Sequence, residues 1–405
     1  MREMMTVHEH FDVQKAFEHI AALSRMRRLA GTPGEIEARA YIHEVGKDTG
    51  VAFQDEEFSY STAPLKLALP ATCLAIGAIS AAGSLAYLMS TRLVIVLGVA
   101  LLAVIYLGFK WSGAFEKFAS KGSGRSSNIV GKIEGAEPTG AVLISAHYDS
   151  KSQLMPVALR ASLFMLGFAT AILLGLFLVT TGILATTGHS SLGSRVVFYV
   201  SLLPSLLMFA LIFNATGNRS PGAMDNASGV AVILEVARVI AERPLERFDL
   251  IVAAFGAEEF GLCGSISYLL AHEEELMRRP FYMLNFDMPF SRSGNLMVNT
   301  GFELPPVRTS KMLNGLVRSV GKRMGLRVRG VYMPIGAAAD HVPWVKHGFE
   351  ATGLTCAMTR IHSTGDSIDR VNREGMRRVG EATIAILREL DQKNATQGSS
   401  PGVAF

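Results

Sequence analysis

The sequence predicts an α/β fold interrupted by two hydrophobic helical hairpins. Three observations predict it. Continuously apolar runs at 141–146, 250–255 and 281–286 have the composition of strands buried on both faces. Each run leads into ionisable side chains: His147, the pair Glu258-Glu259, and Asp287. Four longer runs without charge, at 67–89, 93–109, 161–184 and 196–213, are paired by short links and read as membrane spans. The shortest of them, taken alone, also fits a buried core helix.

Composition agrees with that reading. The chain has 405 residues, 49% hydrophobic and only 18% charged. Its mean hydropathy of +0.29 is high for a soluble protein. A net charge of +4, dispersed and without an aromatic-plus-basic patch, excludes nucleic acid as a natural partner. Cys73, Cys263 and Cys356 form no CxxC pair and no disulfide framework.

Taken in order, residues 1–15 lack the apolar stretch of a signal peptide, and His8 and His10, a pair able to bind a metal, fit a solvated helix face better. Phe17, Ile20, Leu23 and Met26 recur at helical spacing, predicting a helix over 13–29. Gly31-Thr32-Pro33-Gly34 is a turn, 35–47 a second helix, and 51–60 a strand. The first hairpin comes next. Residues 128–133 alternate like a strand, and 141–146 deliver His147-Tyr148-Asp149. After the second hairpin, the small residues of 221–229 let backbone approach closely before a helix over 230–240. Beyond 250–255 come a helix over 266–276, the strand 281–286, a strand at 296–299 and a helix over 310–324. Asp340 opens a short helix, 351–358 is a last strand, and 372–391 a terminal amphipathic helix with a frayed tail after it. The globular parts 1–65, 112–153 and 216–392 form one domain, from which the hairpins 66–111 and 154–215 emerge; 393–405 is the tail.

Charge predicts sidedness. The hairpin tips carry only Arg92 and Arg195, whereas Lys66, Lys110, Lys117, Lys121, Arg125, Lys151, Arg160 and Arg219 flank the opposite ends. Positive flanks stay cytoplasmic, which places four spans in a bilayer and the globular domain on the cytoplasmic side.

Each ionisable motif is ambiguous alone. Glu258-Glu259 fits a solvated acidic turn, His147-Tyr148-Asp149 a hydrogen-bonded structural pair, and Asp225 a helix cap. Together they supply nitrogen and carboxylate donors of the kind that suit zinc, with His362 in a late loop.

The motifs HYDS, PGAMDNASG, AEEFGLCGS, NFDM, ADHVPW and IHSTGD, in this order, resemble those of the co-catalytic zinc aminopeptidases. That family includes bacterial leucyl aminopeptidases and aminopeptidase Y, with glutaminyl cyclases as relatives. The resemblance covers 16–60 and 127–390 and leaves the hairpins out. It implies a mixed, largely parallel central sheet flanked by helices, of zinc exopeptidase type. It implies two zinc ions per chain. Asp225 matches the bridging carboxylate, His147 and Asp287 the ligands of one zinc, and Glu259 and His362 those of the other. Glu258 matches the general base, and Asp149 the carboxylate that orients His147. A cis peptide between Asp225 and Asn226 is implied as well. Asp340 and His341 lie in the ADH pattern, where a place beside the site and a structural role are both open.

The expected activity is removal of N-terminal residues from peptides with a free N-terminus, by a membrane-anchored metallopeptidase. Two other readings stand beside it. One is a single-zinc acyltransferase of glutaminyl cyclase type, which a five-ligand set disfavours. The other is a non-enzymatic receptor on the same fold, which would be expected to lack ligands.

Overall fold

The computed structural model describes residues 10–87, 89–112, 121–188, 194–290, 296–333, 337–356 and 359–397. His8, Lys117 and the end of the expected tail lie outside them. The chain divides into two compact units. One holds 10–60, 121–152 and 218–397; the other holds 61–112 and 153–217.

The chain opens with α1 (Val13–Arg25), capped by Asp12, whose side chain accepts the Gln14 and Lys15 N–H groups at 2.9 and 3.1 Å. The helical spacing continues to 29, but α1 stops at Arg25 and Met26 is extended. Helix α2 (Pro33–Thr49) starts with Pro33 in its first turn and ends at Gly50 in the left-handed region. Strand β1 is Phe53–Tyr60. After it come the apolar helices α3 (Leu69–Ala86) and α4 (Thr91–Ser112). Strands β2 (Gly124–Ile133) and β3 (Gly140–His147) are next, then helices α5 (Val157–Thr186) and α6 (Ser194–Ile212). Helix α7 (Ser228–Glu242) is buried almost throughout, as its apolar sequence requires. The rest runs β4 (Phe248–Phe255), α8 (Cys263–Leu276), β5 (Phe281–Phe286), β6 (Leu296–Gly301), α9 (Lys311–Arg323), β7 (Val328–Tyr332), α10 (His341–Lys346), β8 (Glu350–Thr355) and α11 (Arg373–Gln397).

Among the described residues the first unit is built on an eight-stranded sheet of order β1-β2-β4-β3-β5-β8-β6-β7. Its centre, β4-β3-β5-β8, is all parallel; β1, β2 and β4 pair antiparallel at one side, and β8 pairs antiparallel with β6 at the other. The sheet is therefore mixed and largely parallel at its core. Register, more than strand order, positions the functional side chains. His147 is opposite Phe255, Ser145 opposite Asn285, and Leu354 opposite Phe286. The four central strands thus end flush, and everything placed just beyond their carboxyl ends is brought to one spot.

Besides the shorter α1, two further elements differ from the sequence reading. Strand β7 had no counterpart there. Helix α11 runs to Gln397, so the first residues of the expected tail continue the helix.

The second unit is α3, α4, α5 and α6, packed around Ile76, Leu101, Ile105, Phe168, Leu174, Leu178 and Met208. Leu74, Val96, Leu107, Leu173, Leu176, Leu203 and Leu206 point outward and are exposed. These helices are thus apolar on their outer as well as their packed faces. Three of the described helices, Pro64–Ala86, Thr91–Lys110 and Val157–Thr186, are long and apolar enough to cross a membrane. Helix α6 contains Pro204, and its apolar part, Phe198–Ile212, is shorter.

Candidate metal centre

Beyond the flush strand ends, seven buried or nearly buried ionisable side chains meet. Strand β3 delivers His147, and Asp149 lies two residues later. Strand β4 leads to Glu258 and Glu259, in a short turn that enters at Ala257 (φ 52°) and leaves at Gly261. Strand β5 delivers Asp287, next to Met288 at φ 51°. The loop after β8 brings His362, itself at φ 56°. Asp225 lies in the turn before α7, and its peptide bond to Asn226 is cis. Left-handed backbone at four non-glycine positions around one cluster marks turns held by their surroundings rather than by local preference. Leu262 (φ 60°) is the fourth.

Asp225 sits at the centre. Its Oδ1 lies 3.2 Å from His147 Nε2, and its Oδ2 lies 3.1 Å from His362 Nε2. Asp287 Oδ1 is 3.7 Å from His147 Nε2, and Glu259 Oε2 is 3.3 Å from His362 Nε2. Two groups of three result, His147-Asp225-Asp287 and Asp225-Glu259-His362, with donor atoms within 4.8 Å of one another in each. Glu258 belongs to neither. Its Oε2 is 3.8 Å from His147 Nε2.

The supports are as specific as the cluster. Asp149 faces His147 Nδ1 at 3.5 Å, and its two oxygens accept the main-chain N–H groups of Glu258 and Glu259 at 3.1 and 3.2 Å. Asp366 accepts the N–H groups of Met224 and Asp225 at 2.9 and 3.0 Å. Asn226 donates to the Phe286 carbonyl and accepts from Gly229 and Met288 N–H, tying the Asp225 turn to the end of β5. The fully buried Arg28 donates to the carbonyls of Tyr148, Pro221 and Gly222. Gly222 (φ 59°) has room for nothing larger: a Cβ there would meet Asp225 O at 2.6 Å and Arg28 at 2.7 Å.

Electrostatics show how much negative charge is gathered. Burial resists ionisation of Asp225, but His147 and His362 hold it well below the usual carboxylate range. Burial also disfavours a charged His147 ring, yet Glu258, Asp149, Asp225 and Asp287 hold it well above its ordinary value. Glu259 is drawn down to about 2, against burial, by His362 and Lys151. Burial pushes Glu258 well above its ordinary range, with Glu259, Asp340 and Asp287 adding to the effect and His147 opposing it. Asp287 Oδ1 is buried and accepts no hydrogen bond among the described residues. Such a concentration of carboxylates, most of them without a lysine or arginine partner among the described residues, is what cations compensate. Nitrogen and carboxylate donors gathered in this way are of the kind that hold zinc.

All seven residues singled out in the sequence for catalysis or metal binding come together here. Asp340, also fully buried, finds no hydrogen-bond partner for either carboxylate oxygen among the described residues and is raised by burial to about 8. His341 packs its ring against Gly353 and edge-on to Phe302. Three residues of the surround were not singled out: Arg28, Asp366, and Lys151 in its contact with Glu259. Arg28 is a charged residue in a predicted helix tail, with no local signal of burial. Asp366 closes the IHSTGD motif, so its position was legible but its partners were not.

The profile of peptidase family M28 matches residues 201–387. Aminopeptidase YwaD of Bacillus subtilis is 29% identical over 184 residues, covering 43% of this chain and 39% of YwaD. The probable lipoprotein aminopeptidase LpqL of Mycobacterium tuberculosis is 41% identical over 68 residues, 17% of this chain and 14% of LpqL. The matched stretches thus span less than half of these curated relatives. In fold, BSAP, a zinc aminopeptidase from Bacillus subtilis, superposes with a TM-score of 0.57 at 17% identity, over 94% of this chain and 95% of BSAP.

Proposed function

We propose, from the match of residues 201–387 to peptidase family M28, that the chain is a membrane-anchored metallopeptidase removing N-terminal residues from peptides. The observation that carries this reading is Asp225, which turns one oxygen to His147 and the other to His362. With Asp287 beside the first histidine and Glu259 beside the second, His147 and Asp287 would hold one zinc, Glu259 and His362 another, and Asp225 both. When bound, two zinc ions acidify water and polarise a carbonyl.

The remaining work falls to the chain's own side chains. Glu258, outside both ligand groups, takes the proton of the attacking water and passes it to the leaving amine as the peptide C–N bond breaks. A carboxyl group raised by burial is suited to that exchange near neutral pH. Asp149 acts twice: it orients His147, and by accepting both glutamate N–H groups it fixes where Glu258 points relative to Glu259.

The apolar helices anchor the chain. Helix α6, at 1.5 Å per residue, is about 28 Å long and makes a fourth span beside the three longer ones. The paucity of positive charge at the hairpin tips, which carry Arg92 and Arg195 alone, supports a cytoplasmic orientation of the sheet unit.

The test is purification of the full chain in detergent, zinc counting, and assay on peptides with free and acetylated N-termini. Two zinc ions and cleavage confined to free N-termini are expected. Equal cleavage of blocked peptides, or a single zinc with cyclisation of N-terminal glutamine, would refute the assignment.

A further inference from the structure

Glu259 and Asp287 hold matching places in the two groups, but their neighbours differ. Asp287 ion-pairs only with His147 among the described residues, and its Oδ1 accepts no hydrogen bond from them. Glu259 is held on both oxygens by one residue. The Lys151 main-chain N–H donates to Oε1 at 3.2 Å, and its ammonium pairs with Oε2 at 2.7 Å. The same ammonium donates to the Glu259 carbonyl at 3.1 Å. Oε2 is also the oxygen that faces His362, at 3.3 Å. So the atom a metal would take on this side already carries a positive partner, in a site where Glu259 is 4% exposed. Screening is weak there, and a fixed cation a few Å from a second cation repels it strongly.

We propose that Lys151 makes the two metal positions unequal: the His147-Asp225-Asp287 position fills first, and the Asp225-Glu259-His362 position fills only at higher zinc. The proposal rests on the metal-site reading of the cluster. Its consequence is a zinc threshold built into the site, since a chain with only the first position filled lacks the pair of metals.

The experiment is titration of metal-free full-length chain in detergent with zinc, against a chromophoric chelator. The wild type is expected to bind in two steps at least about tenfold apart. H147A should lose the tighter step, and H362A should keep it and lose the weaker one. K151M should tighten the weaker step by about tenfold and leave the tighter one within about threefold. K151R, which keeps the charge, should preserve the gap. Two equal steps in the wild type, or a K151M protein whose weaker step is unchanged or looser, would overturn the proposal: Lys151 would then merely orient Glu259. If K151M does not fold, the wild-type, H147A and H362A titrations still decide the inequality and its order. Absence of any zinc binding would sink the metal-site reading itself, whereas equal steps would sink only the inequality.

Discussion

The carboxylate of Asp366 backs the Asp225 turn, taking the Asp225 N–H on one oxygen at 3.0 Å and the neighbouring Met224 N–H on the other at 2.9 Å. Among the described residues, no other side chain grips the main chain at the central residue of the site so directly. In D366N one oxygen is replaced by an NH₂ group that faces an N–H donor. Zinc affinity is expected to fall about 10–100-fold with the fold intact. Competition with a zinc chelator measures the first and circular dichroism the second.

Glu258 is separable from the ligands because it sits in neither group of three. E258Q should bind as much zinc as the wild type while hydrolysis of a free-N-terminal peptide falls by about 10²–10⁴. Metal analysis alongside turnover measures both. A mutant with full turnover would remove the proton-transfer role.

Glu35 offers a pH test at a group that is not one of the candidate metal ligands. It accepts hydrogen bonds from Ser126, from Gly31 N–H at 2.6 Å and from Tyr148 at 3.3 Å, and burial pushes it up to about 7 from an ordinary 4.5. Between those two values the folded chain keeps a proton that the unfolded chain has released. The stability this group contributes is therefore fully present below about 4.5 and is lost as pH rises through about 7. E35Q stays neutral, so it should gain on the wild type as pH rises from 5 to 8, by an order of 2 kcal/mol at the top. Thermal melts of both proteins across that range are the measurement.

The turn that carries Glu258 and Glu259 is pinched shut at its base. Asn128 donates to the Gly264 carbonyl at 2.9 Å and accepts from Gly256 N–H at 3.2 Å. A Cβ on Gly264 would come within 2.3 Å of both Asn128 Oδ1 and Gly256 O. G264A should cost about 1–3 kcal/mol in denaturant unfolding and loosen zinc, because the turn cannot close without displacing Asn128.

Legibility in the sequence tracked burial. Strands β3, β4 and β5 are buried on both faces, so they read as continuous apolar runs, and the side chains at their ends stood out against that background. Strand β7, Val-Arg-Gly-Val-Tyr at the sheet edge, is half exposed and carries no such run. The metal-site candidates were legible because their residue types are chemically distinctive and their motifs ordered. Of their supports, Asp149 was legible through the resemblance, whereas the contacts of Arg28, Lys151 and Asp366 were not. Lys151 read as a charge flanking a hairpin, and only the sheet register, which sets β3 beside β4, puts it on Glu259. Arg28 fell in the tail of the helix predicted over 13–29, yet beside local carbonyls it donates to those of Tyr148, Pro221 and Gly222, 120 and more residues away. Partnerships at that separation are fixed by tertiary packing and leave no local trace.

The flush ending of the central strands also has a temporal side. A ribosome makes His147 before α5 and α6, but Asp225, Glu258, Glu259, Asp287 and His362 all emerge after the last apolar helix. When the last apolar helix has been made, the chain therefore still holds a single donor of the set. His362, contributed last, follows all eight strands of the sheet. The candidate metal cluster is thus incomplete until residue 362 has been made, and a product stopping before it would lack one member of the Asp225-Glu259-His362 group.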